Sequence, residues 1–205
     1  PSVTDALGDL HRTEGSYPRG AVLWQKPAAG KKDLSPGERI SWMEKLLPFV
    51  GRQDLHDRID RNEPWYHERN QAAAMSVVEA FLDPSVPQRR WRGAPFDGPA
   101  LTHFVGMAGV GPGAAELAKD DPRAGVFGYD RTTRTEDIGD GASNTIMVIQ
   151  AHSVFGPWLQ GGGATIRGAK KRPYFGTPGG FGSSQNSDGT LVVMADGSVR
   201  FLSKD

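Results

Sequence analysis

From Leu101 onward the apolar residues come in short runs set between glycine-rich stretches: THFVGMAG, AGVFGYD, NTIMVIQAH and LVVMADGSVRFL. Runs of this length, bounded by turn-forming residues, read as strands. The glycines between them force turns and loops, so this part of the chain cannot build a helix bundle. Before Leu101 the spacing of apolar residues is helical, which orders the chain as helices first and strands after. That order predicts an α+β fold with an antiparallel sheet, not alternating βαβ units. At 205 residues, one globular domain spanning residues 1–205 is expected. With 27 Gly and 15 Pro, its core is modest and its surface loops are long.

In the helical part, Leu7, Leu10 and His11 lie on one side of a short helix in TDALGDLHRTEG that SYPRG terminates. In SPGERISWMEKLL, Ser35 can cap a helix, Pro36 suits its first position and Glu38 completes a capping box. Ile40, Met43 and Leu47 follow at helical spacing, and Pro48 is expected to end or kink that helix. RQDLHDRIDR predicts a surface helix with Leu55 and Ile59 as its only apolar pair. NQAAAMSVVEAF reads as a third helix, although VVEAFL fits a buried strand equally well. Two further segments, GVGPGAAELAKDDPRAG and GGGATIRGAKKRPYFGTPGGFGSS, read as long Gly-rich loops, a length usually reserved for function or mobility.

The last hairpin can be laid out residue by residue. With Asp196-Gly197 as a two-residue type I′ turn, Ala195 pairs with Ser198, Met194 with Val199, Val193 with Arg200 and Val192 with Phe201. Val192, Met194, Val199 and Phe201 then form one apolar face turned to the core.

Several chemistries fail on the residues. The 24 basic and 24 acidic side chains cancel to a formal charge of 0, so no global field favours nucleic acid. There is no cysteine, hence no disulfide, thiolate zinc site or thiol nucleophile. An EF-hand loop around Gly189 would find ligands at Ser184, Asn186 and Asp188 but Ala195 where a Glu is needed; around Gly141 it fails at Ile138. A looser calcium site using Asn186 and Asp188 stays open. His11, His56, His67, His103 and His152 form no HExxH pair, and no GxSxG elbow is present. A hydrolase built on His103 or His152 with a carboxylate is the weakest reading. No enzyme is expected. Trp65, Tyr66, Trp91 and Trp158 are candidates to stack on a sugar or another small solute.

Several stretches together resemble one family. ISWMEKLLPFVGRQDLHDRID with PWYHERN, then THFVGMAG, GVFGYD and EDIGDGASNTIMVIQ, and finally SQNSDGTLVVMADGSVRFL are similar to the motifs of the large planctomycete-type domain-of-unknown-function family 1559. Its members carry a prepilin-type N-terminal helix and close on a motif of His, nine residues and Asp-Gly. Asp140, Gly141, Ser143, Asn144, Asp196 and Gly197 match the motif turns. At three positions this chain departs: Asn186 stands at the motif His, Gln150 at a Glu and Asp83 at a Cys. Asn186 cannot be protonated, so acid–base work at that position is not available.

The resemblance implies a pseudopilin-like sheet and a hydrophobic helix upstream of Pro1, which starts without methionine. The domain would then be an inner-membrane-anchored head in the periplasm or at the cell surface. Its partners would be other pseudopilin-like subunits or secretion-machinery proteins, with a structural role and no cofactor beyond a possible calcium ion. An extracytoplasmic carbohydrate or small-solute binding module is the alternative.

Overall fold

The computed structural model describes residues 1–22, 33–183 and 188–203. Helix α1 (Val3–Glu14) opens on a Ser2/Asp5 capping box and ends at Gly15 in the left-handed region. Both ends are therefore set by local chemistry. Val3, Ala6, Leu7 and Leu10 make its buried stripe, while His11 stacks on Tyr17 at 4.5 Å between ring centroids.

Half of the Ser35/Glu38 capping box forms: the Ser35 N–H and Oγ–H both donate to Glu38 Oε2, while the Glu38 N–H donates to Ser35 O. It opens only a turn. Ile40 and Ser41 are drawn into extended pairing with Gln160 and Ala21, so the cap moves from Ser35 to Ser41 and the helix starts at Trp42. It is a 3₁₀ run, Trp42–Val50, that takes Pro48 inside and stops at Gly51. Helix α2 (Gln53–Arg58) is shorter than the periodicity predicts, and both Leu55 and Ile59 are buried. Helix α3 covers Glu68–Ala74, and the ambiguous VVEAFL becomes neither full helix nor strand but a 3₁₀ turn, Glu79–Phe81.

A short pair, β1 (Leu101–Thr102) and β4 (Gly156–Pro157), stands beside the main sheet. The main sheet has the order β5-β2-β3-β6-β7, from β2 (Phe104–Val110), β3 (Ile146–Gln150), β5 (Ile166–Ala169), β6 (Gly189–Met194) and β7 (Val199–Ser203). All its pairings are antiparallel except β2 with β5, which is parallel. The architecture is α+β, as the order of patterns predicts, with a mixed edge. β5 lies inside the second Gly-rich segment, which is thus not all loop.

AGVFGYD is not a strand. It runs beside β2, joined by Gly125 N–H to Ala108 O at 2.7 Å and Phe127 N–H to Met107 O at 3.0 Å. The Arg131 guanidinium takes the carbonyls of Ala108, Gly125 and Phe127, acceptors a regular ladder would need. The approach is close enough that a Cβ on Gly109 would fall 2.0 Å from Arg123 O.

The final hairpin differs by one residue from the expected register. Val193 pairs with Val199, Val192 with Arg200 and Leu191 with Phe201. A type I′ turn needs positive φ at both central residues, and only Gly197, at +82°, has it. The turn is therefore a three-residue loop, Ala195 to Gly197, closed by Met194 N–H to Ser198 O at 2.8 Å and Gly197 N–H to Met194 O at 2.9 Å. A one-residue slip exchanges the faces of β7. Val192 and Met194 stay buried, but Val199 and Phe201 join Leu191 on the outer face, at 52%, 52% and 60% exposure.

Candidate functional site

The two long Gly-rich segments meet. Residues 111–116 and 163–181, with Tyr129 and Val154, enclose a cavity of about 740 Å³ beside β5. Its floor is the strand itself, because Gly168 brings β5 against Ala114: a Cβ there would lie 2.8 Å from that side chain. The far wall, from Tyr174 to Phe181, closes on itself through Phe181 N–H to Tyr174 O and Gly176 N–H to Phe181 O. It is pinned to the end of β3 by His152 N–H to Gly180 O at 3.1 Å. The near wall is held from behind by Arg131, whose Nη1 donates to Ala114 O and Leu117 O.

Arg167 on β5 is the most confined charge of the lining. Its Nε donates to Gly163 O at 3.1 Å and its Nη2 to Val154 O at 2.5 Å. Nη1 is buried and has no partner among the described residues. Burial alone lowers its pKa from the usual guanidinium value, yet a guanidinium remains charged at any physiological pH. Lys170, Lys171 and Arg172 continue from it along the rim, Arg172 lying 5.7 Å from the Tyr174 ring centroid. Glu116 is the one acidic side chain of the lining, and burial followed by that carboxylate raises the pKa of Tyr129.

Two of the three departures from the motifs, Gln150 and Asp83, come together. Gln150 Nε2 donates to Asp83 Oδ2, Thr190 Oγ to Gln150 Oε1 at 3.3 Å, and the Asp83 N–H to His103 Nδ1 at 2.9 Å. Asp83 Oδ1 also accepts from Ser85 N and Oγ. Hydrogen bonds from Ser85 and Gln150 outweigh the larger single effect, burial, and keep the Asp83 pKa below its ordinary value. The ring nitrogens of His103 are both bonded to backbone, Nε2 donating to Gln88 O at 2.7 Å. This cluster is closed: its donors and acceptors answer one another.

The two motif turns dock on each other. Gly141 has φ +84°, Asn144 Nδ2 donates to Asp140 O at 3.0 Å, and Ser143 is exposed. Ala195 N–H reaches Thr145 O at 2.8 Å and Asp196 N–H reaches Ala142 O at 3.2 Å, while Tyr17 donates its hydroxyl to Ala195 O at 2.6 Å. Asp196 Oδ1 accepts from Ser198 N and Oγ and completes the loop. Both Asp-Gly turns thus fasten sheet to helix layer.

The aromatic candidates separate. Trp65 and Trp158 are core residues whose indoles donate to Gly37 O and Ser76 O, leaving no face for a sugar. Tyr66 packs edge-on to Trp65 at 5.8 Å with its hydroxyl on Glu38 Oε1. Trp91 is partly exposed and bonds Ala94 O. Asp188 is exposed at the start of β6, and Asn186 lies outside the described residues. Among the described residues no group of three or more His, Asp or Glu side chains could hold a metal ion, and no helix is long and apolar enough to cross a membrane.

The cavity was half visible beforehand, since both segments that form it stand out by length. Arg167 was not, although IRGAKKR places four basic residues within six positions. A model of the family described as "Protein of unknown function (DUF1559)" matches residues 4–164, which is more than half of the chain. No curated protein and no solved structure matches it.

Proposed function

The chain belongs to the DUF1559 family of proteins of unknown function, and on that premise we propose that it is a non-enzymatic, pseudopilin-like head domain. Its role is structural contact with other pseudopilin-like subunits or secretion-machinery proteins of a type II secretion or type IV pilus-like assembly. It works in the periplasm or at the cell surface, joined to the inner membrane by a hydrophobic prepilin-type helix, and needs no cofactor.

The observation that supports this is the outer face of the final hairpin. Leu191 on β6 and Val199 and Phe201 on the edge strand β7 present adjacent apolar side chains to solvent, and β7 has no further neighbour strand among the described residues. Contiguous apolar surface on an open sheet edge is a surface suited to another chain. A photo-crosslinking residue at position 199 of the full-length protein, expressed in its own host, is expected to capture a second copy or a secretion component. Phe201→Asp should abolish the product without changing thermal stability by more than about 0.5 kcal/mol, since the side chain is exposed. Recovery of the protein solely as uncrosslinked cytoplasmic monomer would reject the reading.

A second reading, a binding module for carbohydrate or another small solute, is supported by the cavity and no longer by Trp65 or Trp158.

A further inference from the structure

The segment from Arg167 to Arg172 concentrates positive charge that the rest of a neutral chain does not answer. Arg167, Lys170, Lys171 and Arg172 face the cavity against Glu116 alone. Two other confined arginines meet more acceptors in place, although Arg131 Nε is itself buried without a partner among the described residues. Arg61 has the buried carboxylate of Glu44, and Arg131 donates to five backbone carbonyls. Among the described residues Arg167 has two carbonyls, an unpartnered Nη1 and no carboxylate. A partly buried cation held this way is costly unless something brings the opposite charge to it.

The shape limits what that something is. A concave space of about 740 Å³ fits a small ligand, not a polymer lying along a surface. Tyr129, Tyr174 and Phe181 supply aromatic wall. Gly111, Gly113, Gly163 and Gly179 leave bare backbone there, each with open space where a Cβ would stand. Guanidinium matches a planar or tetrahedral oxyanion through two parallel N–H donors, whereas lysines add charge without geometry.

We propose that the cavity binds a small organic oxyanion of sugar-acid or sugar-ester size, with Arg167 meeting the oxyanion and Lys170, Lys171 and Arg172 neutralising its charge. This rests on the second reading above, names its ligand class, and is independent of the contacts made by the final hairpin. Carboxylate, sulfate and phosphate share the recognising chemistry, so the three sources are separated by experiment.

Calorimetric titration of the intact chain with glucuronate, glucose 6-sulfate, glucose 6-phosphate and uncharged glucose is the direct test. At least one charged sugar is expected to bind saturably at one site, with glucose silent at concentrations up to about 10 mM, the weak end of small-ligand affinity. Arg167→Met should weaken it by at least about tenfold and Arg167→Lys by less, because lysine keeps the charge but loses the paired donors. Lys170, Lys171 and Arg172 are exposed, so their joint replacement by Gln leaves folding intact and should also weaken binding and flatten its salt dependence. If Arg167→Met does not fold, that rim variant carries the test. Binding of glucose as tight as of the charged sugars would overturn the oxyanion but keep a solute-binding module. Silence of all four sugars would overturn both. Binding unchanged in the Arg167 and rim variants would mean adsorption elsewhere and overturn the site.

Discussion

At the junction of the Trp42–Val50 run with α2, the Arg61 guanidinium meets a carboxylate; beside β5, Arg167 meets none. Glu44 is fully buried, and its Oε1 accepts from Arg61 Nε at 2.8 Å, from Arg61 Nη2 and from His56 Nε2 at 3.1 Å. Arg61 also donates to Ile59 O and His56 O. Every positive donor in that corner therefore has protein as its answer, and the corner joins the 3₁₀ run to α2 and to the chain that follows it. Around Arg167, which lines the cavity, the protein supplies two carbonyls and leaves a buried Nη1 without a partner among the described residues. The difference teaches how to tell a structural arginine from one kept for a ligand: the first is enclosed by acceptors, the second is enclosed by walls.

The largest expected effect comes from breaking the Glu44 corner, where every donor is answered although Glu44 Oε2 has no partner among the described residues. Glu44→Ala strands Arg61 and His56 beside a new void and should cost about 3–5 kcal/mol, the range for removing one partner of a buried ion pair. In a chain of this size that lowers the melting temperature by on the order of 10 °C, readable by calorimetry. Arg167→Met strands no carboxylate, since none is there, and should change stability by no more than about 1 kcal/mol while removing oxyanion binding. A stability loss at Arg167 equal to that at Glu44 would break the comparison, because both arginines would then be structural staples.

The parts of the fold that local chemistry decides were readable in the sequence. Helix α1 begins and ends where its caps stand, and the helices-then-strands order gives the α+β class. What escaped depends on partners far along the chain. Glu38 does reach back to Ser35, but Gln160 and Ala21 claim Ile40 and Ser41 before a helix can form. The hairpin register turned on a single dihedral: Asp196 does not take positive φ, so the turn gains a residue and Val199 and Phe201 face outward. Trp65 and Trp158 could not be told from exposed stacking residues because a tryptophan in a Pro-flanked loop looks the same in either role. The cavity's two segments were legible as long loops; its charge was hidden because summing over the chain gives zero, while the unbalanced part sits between residues 167 and 172.

His103 offers the smallest effect and the finest discrimination, since it is a buried base in a third, closed environment. Its Nδ1 accepts the Asp83 N–H and its Nε2 donates to Gln88 O, which fixes the neutral tautomer, and its ring lies 4.5 Å from that of Phe155. Burial, ahead of the opposing effects of Gln88 and Asp83, pushes its pKa below the ordinary histidine value. In the unfolded chain the imidazole titrates near about 6.5, so between that pH and the lower folded pKa the unfolded state binds the extra proton. Stability must then fall as the pH is lowered from about 6.5 toward the folded pKa, and it is fully present above that window. Melting temperatures from pH 7.5 down to about 5 should show this slope, and His103→Gln should be less stable at neutral pH but flatter across the window. A slope that persists unchanged in His103→Gln would reject His103 as its source. Either way the oxyanion site should hold its affinity for a sugar sulfate across the same range, because a guanidinium does not titrate there and a sulfate ester stays ionised.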